Sequence, residues 1–371
     1  MSTTPAPSIV FVPETLPKPS IVFLTGTSNL PLANEIARLL GVPCHVCAKD
    51  KFANGETSVT IPISIRGADV YVFQPTTSCQ NVNDACMELF VILQAAKLSS
   101  PLRITAVIPS FAYARQDRKS KPHEPITAKL IADFIVAAGA DRVMAMDLHA
   151  DQEVGFFSVP VDNLSAMLLL ARYVADRFEI VCGNESIANT EQNKKKKADI
   201  VIVSPDAGGV KRARDFASAI GSDVDIAIIH KHRPQPGVVG DMKIVGDVKG
   251  RTAIIVDDIS DTLGTLNSAA NVLKNAGAKS VIACATHGLL SGKAISVLQQ
   301  RNFDLVVTDT NNIDKTLAQQ SVTSMPNLFV VSVADLLAVA IKKHHNGQSL
   351  SELYYLDKLE AQVPKRNAKT F

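Results

Sequence analysis

The stretch Thr252-Ala-Ile-Ile-Val-Asp-Asp-Ile-Ser-Asp-Thr-Leu-Gly-Thr265 carries the strongest structural signal in this sequence. Residues 253–256 are apolar and mostly β-branched, which is typical of a buried strand in a parallel sheet. An acidic, hydroxyl-rich turn begins at Asp257, and an Ala/Leu/Val-rich helical pattern follows through Leu273. A strand, a tight polar turn and a helix together predict backbone N–H groups that converge on an anion.

The polar residues of this turn suit a ribose phosphate. Thr262 and Thr265 add hydroxyl donors for a phosphate, and Gly264 allows the backbone to approach it closely. Asp257 and Asp258 would repel a phosphate, so we expect them to accept hydrogen bonds from the vicinal hydroxyls of a ribose. An ordinary capped turn has a similar composition, but the position after a buried strand favours a ligand site.

Short apolar strands alternate with helical stretches from Ile21 onward. The predicted strands are residues 21–24, 69–73, 103–108, 142–146, 200–203, 225–229, 252–256, 280–285, 304–308 and 328–332. The predicted helices are residues 31–40, 83–98, 125–138, 163–178, 209–219 and 264–276. This alternation predicts an α/β fold with mostly parallel sheets and helices on both faces.

The sequence also contains an internal repeat. Residues 67–73, a polar loop, a helix and residues 103–108 are echoed, with nearly the same spacing, by residues 250–256 and 279–285. Two similar α/β halves that divide near residue 165 explain this repeat most simply. The predicted parts are a Pro-rich N-terminal extension at 1–19, domains at 20–165 and 166–355, a surface insertion at 183–199 and a C-terminal tail at 356–371.

Composition argues against several classes of protein. The formal net charge is +2, which does not favour nucleic acid or a membrane surface as a partner. Four consecutive lysines, Lys194 to Lys197, fit a flexible basic loop better than a nucleic-acid or sorting patch. Cys44 and Cys47 fit apolar packing better than a zinc half-site, because no second pair answers them. With scattered cysteines, no membrane-length apolar run and no signal-peptide pattern, we expect a soluble cytoplasmic protein.

Two further polar segments follow predicted strands and suit phosphates and a metal ion. In residues 204–212, two glycines allow a tight turn and Lys211 lies near the helix start, which suits a diphosphate. Asp206 in the same segment is a candidate ligand for a divalent cation. His149 lies in a polar cluster at a strand end, which suits a Mg²⁺ site completed by phosphate oxygens. A plain turn and a surface histidine are the alternatives.

Three other segments have compositions that suit nucleotide binding and transfer. Residues 113–119 carry three cations near a strand end, which fits a nucleotide's phosphates, although a basic surface loop has the same composition. Residues 230–237 form a cationic, Pro/Gly-punctuated loop of the kind that closes over a reacting phosphorus. Residues 52–56 offer Phe for stacking on a base and Asn and Glu for its edge.

Together these segments resemble the ribose-phosphate diphosphokinases, or phosphoribosyl-pyrophosphate (PRPP) synthetases, from about Ile21 to Leu353. The motifs that carry the resemblance are FANGE (52–56), RQDRK (115–119), MDLHADQ (146–152), SPDAGG (204–209), HKHRP (230–234) and VDDISDTLGT (256–265). The resemblance implies two tandem phosphoribosyltransferase-like, Rossmann-like domains. It also implies conversion of ATP and ribose 5-phosphate to AMP and PRPP, with Mg²⁺ as the cofactor. A non-catalytic associated subunit and a phosphoribosyltransferase or PRPP-sensing regulator are the alternatives.

The resemblance also implies roles for individual residues. Lys231 and Arg233 match the family's catalytic pair. The implied ATP-binding residues are Phe52, Asn54, Glu56, Arg115, Gln116, Asp117 and His149. The implied ribose-5-phosphate residues are Asp257, Asp258, Asp261, Thr262, Leu263, Gly264 and Thr265. The implied diphosphate loop comprises Asp206, Ala207, Gly208, Gly209 and Lys211, and the implied metal ligands are His149 and Asp206.

The resemblance further implies an assembly. Phe52, Asn54 and Glu56 would reach the adenine of a neighbouring subunit, so the expected state is a homo-oligomer in which dimers form a hexamer. Ser64, Arg66, Ser349 and Ser351 fall on the family's regulatory pattern between subunits.

Overall fold

The computed structural model describes residues 19–77, 81–178, 199–221, 224–231, 242–364 and 368–370. Arg233 and nearly all of the predicted extension and insertion lie outside these residues. The described chain forms two large, mainly parallel sheets and ten α-helices, so the predicted α/β fold class is confirmed.

The first sheet is entirely parallel, and a small antiparallel hairpin lies beside it. The strands of this half are β1 (Ile21–Thr25), β2 (Cys44–Val46), β3 (Ala48–Lys51), β4 (Thr57–Val59), β5 (Asp69–Phe73), β6 (Arg103–Ile108), β7 (Arg142–Met146) and β8 (Val161–Leu164). The sheet has the order β2-β1-β5-β6-β7-β8, and β3 pairs with β4 in the hairpin.

The second sheet repeats this arrangement and adds an antiparallel strand at each edge. Its strands are β9 (Ile200–Ser204), β10 (Asp225–Lys231), β11 (Met242–Val245), β12 (Thr252–Ser260), β13 (Ser280–Gly288), β14 (Asp304–Thr308), β15 (Leu328–Val331) and β16 (Lys369–Thr370). The order is β11-β10-β9-β12-β13-β14-β15-β16. Without its edge strands, this order matches that of the first sheet, as the internal repeat predicts.

Helices cover both faces of both sheets. They are α1 (Leu30–Leu40), α2 (Val82–Lys97), α3 (Thr127–Ala138), α4 (Met167–Arg177), α5 (Val210–Ile220), α6 (Gly264–Asn275), α7 (Ala294–Gln299), α8 (Ile313–Gln319), α9 (Ala334–His345) and α10 (Leu356–Gln362). Short 3₁₀ helices occupy Asp151–Phe156 and Ser351–Tyr354. Within the part of the chain the structure describes, no helix is long and apolar enough to cross a membrane.

The apolar core joins the two halves. One continuous cluster takes side chains from both sheets and from α1, α4, α5 and α9. The opposite face of the first sheet packs on α2 and α3, and that of the second sheet packs on α6, α7 and α8. Alternate residues of each strand serve opposite faces: Ile254 and Val256 enter the shared core, whereas Ala253 and Ile255 enter the outer one.

Two differences from the sequence-based prediction bear on the site. The helix predicted at 163–178 begins only at Met167, because Val161–Leu164 pairs with β7 as the last strand of the first sheet. The strand predicted at 252–256 continues to Ser260, because β13 is equally long and pairs with it up to Gly288. Asp257 and Asp258 therefore lie within a paired strand rather than in the turn that follows it.

A buried polar pair links β5 to α9 across the two halves. The hydroxyl of Tyr71 lies 2.7 Å from Nδ1 of His344, and the two rings meet edge to face. His344 is 9% exposed, and its Nε2 has no hydrogen-bond partner within the described residues. Burial and the positive charges of Arg103 and Arg142 lower the pKa of His344 to about 4.

Acidification should destabilise the protein through His344. The unfolded chain binds a proton at an imidazole near pH 6.5, whereas folded His344 resists protonation, so its contribution should be lost between about pH 6.5 and 4. In urea unfolding, wild type should lose more stability than His344→Asn between pH 7 and 5. The matched control His123→Asn changes an exposed histidine at φ +67°, a backbone that Asn tolerates, and should follow wild type. Parallel curves for wild type and His344→Asn would contradict this assignment.

Candidate active site

The carboxyl ends of the two sheets meet, and His149 and Asp258 lie at their junction. His149 follows β7 of the first half, and Asp258 lies in β12 of the second. Nδ1 of His149 is 2.6 Å from Oδ2 of Asp258. Asp258 is 4% exposed, so this contact supplies a partner to a carboxylate that has almost no access to water. The structure thus brings a predicted metal ligand into contact with a predicted sugar ligand.

Arg212 was not among the predicted site residues, although it interacts with both aspartates. It lies in the first turn of α5, and its guanidinium is 3.5 Å from a carboxylate oxygen of Asp258 and 3.8 Å from one of Asp257. The sequence signal for a cation here was the helix start after SPDAGG, but the residue it indicated was the neighbouring Lys211. Arg212 therefore places a positive charge beside this pair of aspartates.

The two aspartates have opposite pKa shifts. Burial and the charge of Asp258 raise the pKa of Asp257. Burial also opposes ionisation of Asp258, but its hydrogen bond with His149 and the charge of Arg212 outweigh this and lower its pKa. The same hydrogen bond raises the pKa of His149 against the effect of burial. A pair that favours one negative charge repels a phosphorylated ligand less than two full charges would.

The loop after β12 presents a helix start to solvent. Thr262, Gly264 and Thr265 are exposed there, as a phosphate cradle at the beginning of α6 requires. Leu263 has φ +61° and is 2% exposed, so its side chain belongs to the outer core. Only the backbone of Leu263 is thus available to a ligand at this loop.

Asp261 connects this loop to the predicted nucleotide segment. Its carboxylate accepts a 2.7 Å hydrogen bond from Arg115 of the first half and another from the Ser291 hydroxyl. A cavity of about 440 Å³ lies at this junction. Among its lining residues are Arg115, Gln116, Asp261 and Ser291. This volume lies within the range of small-molecule sites, and both predicted substrate segments border it.

The segment after β9 forms the predicted tight turn. Gly209 N donates to Oδ1 of Asp206 at 3.0 Å, and a Cβ on Gly209 would lie 2.9 Å from the Ser204 hydroxyl. Position 209 therefore has no room for a side chain. Lys211 reaches across to the first half, where its ammonium contacts the carboxylate of Asp151, two residues after His149. Residues 204–212 and the segment that contains His149 therefore border the same cleft.

The described residues contain no ready-made metal cage. No cluster of three or more His, Cys, Asp or Glu side chains capable of holding a metal occurs among them. His149 and Asp206 therefore fit only a metal ion that takes most of its ligands from substrate phosphates and water, as Mg²⁺ commonly does.

The predicted base-contacting residues lie on the separate hairpin. Phe52, Asn54 and Glu56 are exposed around the turn between β3 and β4, and Phe52 is 58% exposed. Phe52 N bonds to Glu56 O at 2.9 Å, which closes the turn. None of the three lines the 440 Å³ cavity of its own chain.

The remaining predicted residues are placed less completely. Lys231 ends β10, but its side chain is outside the described part, as is Arg233. Asp117 is half-buried in the nucleotide segment. Of the regulatory set, all exposed, Ser349 and Ser351 share a 2.8 Å hydrogen bond. No described hydrogen bond or ion pair joins them to Ser64 or Arg66.

The space between the ends of β1 and β5 in the first sheet corresponds to the space between the ends of β9 and β12 in the second. In the first sheet, side chains of the protein itself fill this space. After β1, the backbone N–H and hydroxyl of Thr27 donate to the carboxylate of Glu88 at 2.9 and 2.7 Å. Gln74, which follows β5, donates to the same carboxylate at 2.7 Å. A Cβ on Gly26 would collide with both side chains. The carboxylate of Glu88 thus fills the space between the ends of β1 and β5 from within the chain.

Known proteins resemble the chain over most of its length. Residues 21–139 match the family described as the N-terminal domain of ribose phosphate pyrophosphokinase, and residues 227–355 match the phosphoribosyl synthetase-associated domain. A ribose-phosphate pyrophosphokinase of Clostridium acetobutylicum is 46% identical over 330 residues, covering 89% of this chain and 96% of that protein. Ribose-phosphate pyrophosphokinase A of Dictyostelium discoideum is 45% identical over 332 residues, with coverages of 89% and 96%.

A solved structure agrees with these relatives. The crystal structure of phosphoribosylpyrophosphate synthetase from Mycobacterium smegmatis superposes with a TM-score of 0.76 at 36% identity. The match covers 88% of this chain and 99% of that one. Given these matches, two repeated α/β halves and a cleft between their carboxyl edges, the chain belongs to the ribose-phosphate pyrophosphokinase family.

Proposed function

We propose that this chain is a ribose-phosphate diphosphokinase for nucleotide biosynthesis. It transfers the β,γ-diphosphoryl group of ATP to the anomeric hydroxyl of ribose 5-phosphate and releases AMP. The observation that carries this proposal is the shared cavity: Arg115 and Gln116 of the predicted nucleotide segment line it together with Asp261 of the predicted sugar-phosphate loop, and Arg115 bonds directly to Asp261. Transfer of a group between two substrates requires both to be bound side by side. Holding the reacting atoms close together in the right orientation removes much of the entropic part of the activation barrier.

The second half binds the sugar phosphate in this proposal. The first-turn N–H groups of α6 and the exposed hydroxyls of Thr262 and Thr265 hold the 5-phosphate. Asp257 and Asp258, three and two residues before the end of β12, accept hydrogen bonds from the ribose hydroxyls. This arrangement leaves the anomeric hydroxyl facing the cleft between the halves.

The segments around His149 and Asp206 hold the phosphate chain of ATP. These two residues are the proposed protein ligands of Mg²⁺, which neutralises phosphate charge and orients the β-phosphorus when bound. The contact between Lys211 and Asp151 supports this placement, because it joins the loops that carry the two ligands. Arg115 and Gln116 lie on the cavity wall and contact the nucleotide.

A direct assay separates this enzyme from a non-catalytic regulatory subunit of the same fold. Purified protein with ATP, Mg²⁺ and ribose 5-phosphate should form AMP and PRPP in equal amounts. Omitting ribose 5-phosphate should abolish AMP formation, since the sugar hydroxyl is the nucleophile. Absence of AMP from folded, substrate-binding protein would favour the regulatory subunit instead.

Asp258→Asn should weaken ribose 5-phosphate much more than ATP. The substitution keeps the side-chain size and removes the charge, and a hydrogen bond to a charged group contributes about 1.5–3 kcal/mol. We therefore expect ribose 5-phosphate affinity, measured by calorimetry, to fall about 10- to 150-fold. Asp133→Asn is the control, because Asp133 is an exposed helical residue that pairs only locally with Lys129. Equal losses for both substrates would show that β12 does not serve the sugar.

Lys231→Ala and Arg233→Ala should reduce turnover with little effect on ATP binding. The proposed pair meets negative charge on the transferred phosphorus and the departing AMP, mainly in the transition state. Removing one such donor typically costs about 10²–10³ in rate, and we expect calorimetric ATP affinity to change by less than about tenfold. Lys279→Ala, an exposed cation beside the start of β13 at the opposite sheet edge, is the control. Normal turnover in both variants would require a different catalytic pair.

The proposed active form is a homo-oligomer, with a hexamer built from dimers as its expected size. Support comes from Phe52, an aromatic residue 58% exposed on a hairpin turn that contributes nothing to its own cavity. In a neighbour's site, Phe52 would stack on the adenine. Dilution should therefore reduce specific activity in parallel with dissociation seen by analytical sedimentation. Monomers that keep full specific activity would contradict this arrangement.

A further inference from the structure

A second set of contacts joins the two sheet edges beside His149 and Asp258. The hydroxyl of Thr286, in β13, donates to Oδ2 of Asp147 at 2.6 Å. The ring of His287 lies with Nε2 3.1 Å from Met146 O and 3.3 Å from Asp147 O. Thr286 is fully buried and His287 is 5% exposed. We call Asp147, Thr286 and His287 the edge link.

The local backbone of the second half aims these side chains at the first half. The pairing of β13 with β14 is irregular between Ala285 and His287, so Thr286 is an extra residue in the strand. Such a bulge redirects side chains, and bulges are frequent next to active sites. The opposite pairing, with β12, sets Asp257 against Ala285 and Ile259 against His287, which places Thr286 beside Asp258.

The first half contributes an equally constrained residue. Asp147 has φ +40°, a region that few residues other than Gly, Asn and Asp occupy. Its carboxylate also accepts 2.8 Å hydrogen bonds from the Ser165 hydroxyl and Ala166 N. These bonds fix the chain two residues before His149. Thus the positions 147 and 149 of one half each contact neighbouring strands of the other.

The hydrogen-bond roles at His287 are determined by its partners. Carbonyl oxygens only accept, so Nε2 carries the proton that bonds to Met146 O and Asp147 O. Nδ1 lies 3.1 Å from the hydroxyl of Thr310. Every polar atom of the ring therefore has a partner, and the ring holds one orientation.

We propose that the edge link positions His149 against Asp258 for the diphosphoryl transfer proposed above. Its three members are positioning residues, since they act through His149 and Asp258. The inference rests on the proposed function for its kinetic consequence. Its structural consequence, a fixed distance between the ends of β7 and β12, is testable without activity.

Thr286→Val tests the link with little change in shape. The variant keeps a β-branched strand residue and removes the hydroxyl, so we expect kcat to fall about 10- to 100-fold, because small misplacements at a reacting centre have effects of this size. The KM values for both substrates should change less than about threefold. Thr286→Ser should restore most of the activity. Thr316→Val is the control. It removes a buried hydroxyl that donates to Asn312 O at 3.1 Å, away from the link, and should keep wild-type kcat.

Two further measurements separate positioning from simple loss of stability. In a His149→Ala background, Thr286→Val should cost less than about twofold in kcat, since a residue that acts through His149 has nothing left to position. Additive losses would overturn the proposal. Asp147→Asn, which tolerates the positive φ, should likewise lower kcat and also speed hydrogen exchange at the Ala166 amide, which donates to this carboxylate.

The outcomes distinguish the two proposals. If wild type forms no AMP, the proposed function fails, and faster exchange at Ala166 in both link variants would still support the structural link. If wild type is active and Thr286→Val matches Thr316→Val in kcat, the positioning role fails while the function stands. Unchanged exchange at Ala166 in Thr286→Val, which loses a hydroxyl of the other half, would overturn the link itself.

Discussion

The site depends on how one buried carboxylate is compensated. Asp258 is 4% exposed and lies inside a paired strand, so its charge persists only because partners surround it. His149 comes from the first half, and Arg212 comes from the helix after β9. Three separate segments must therefore converge before the charge is stable. The same convergence brings together β12, His149 and the loop after β9, so stability and site geometry share one electrostatic constraint.

The two halves show how a duplicated fold is specialised. Both sheets have the same central strand order, and in both the order reverses where polar loops meet, which is where open α/β sheets bind ligands. The first half fills that place with Glu88, held by Thr27 and Gln74. The second half leaves it to a helix start with exposed Thr262 and Thr265. An internal carboxylate thus closes the crevice of the first sheet, whereas the loops after β9 and β12 expose residues at the crevice of the second.

Much of this architecture could be predicted from local sequence, because apolar runs and polar loops report strands and their ends directly. The extension of β12 to Ser260 could not, since it depends on pairing with an equally long β13. Thr286 and Glu88 gave no individual signal, and the helix start after SPDAGG indicated Lys211 rather than Arg212, for the same reason. Each acquires its role from a contact with a distant segment, and neither a periodic pattern nor a single-residue motif encodes such contacts. The motifs thus located the site, whereas tertiary pairing determined its electrostatics.

Sugar binding is compatible with the contact that joins the halves. An ionised carboxylate has about four lone-pair positions for hydrogen bonds. At Asp258, His149 uses one on Oδ2, and Arg212 faces Oδ1 from 3.5 Å without a close hydrogen bond. Acceptor capacity therefore remains for ribose hydroxyls while the histidine stays in place. Burial and the charge of Asp258 raise the pKa of Asp257. Asp257 can therefore add a second acceptor while it repels an incoming phosphate less than a full negative charge would. A ribose bound as proposed would thus complete the shell of Asp258 without displacing His149.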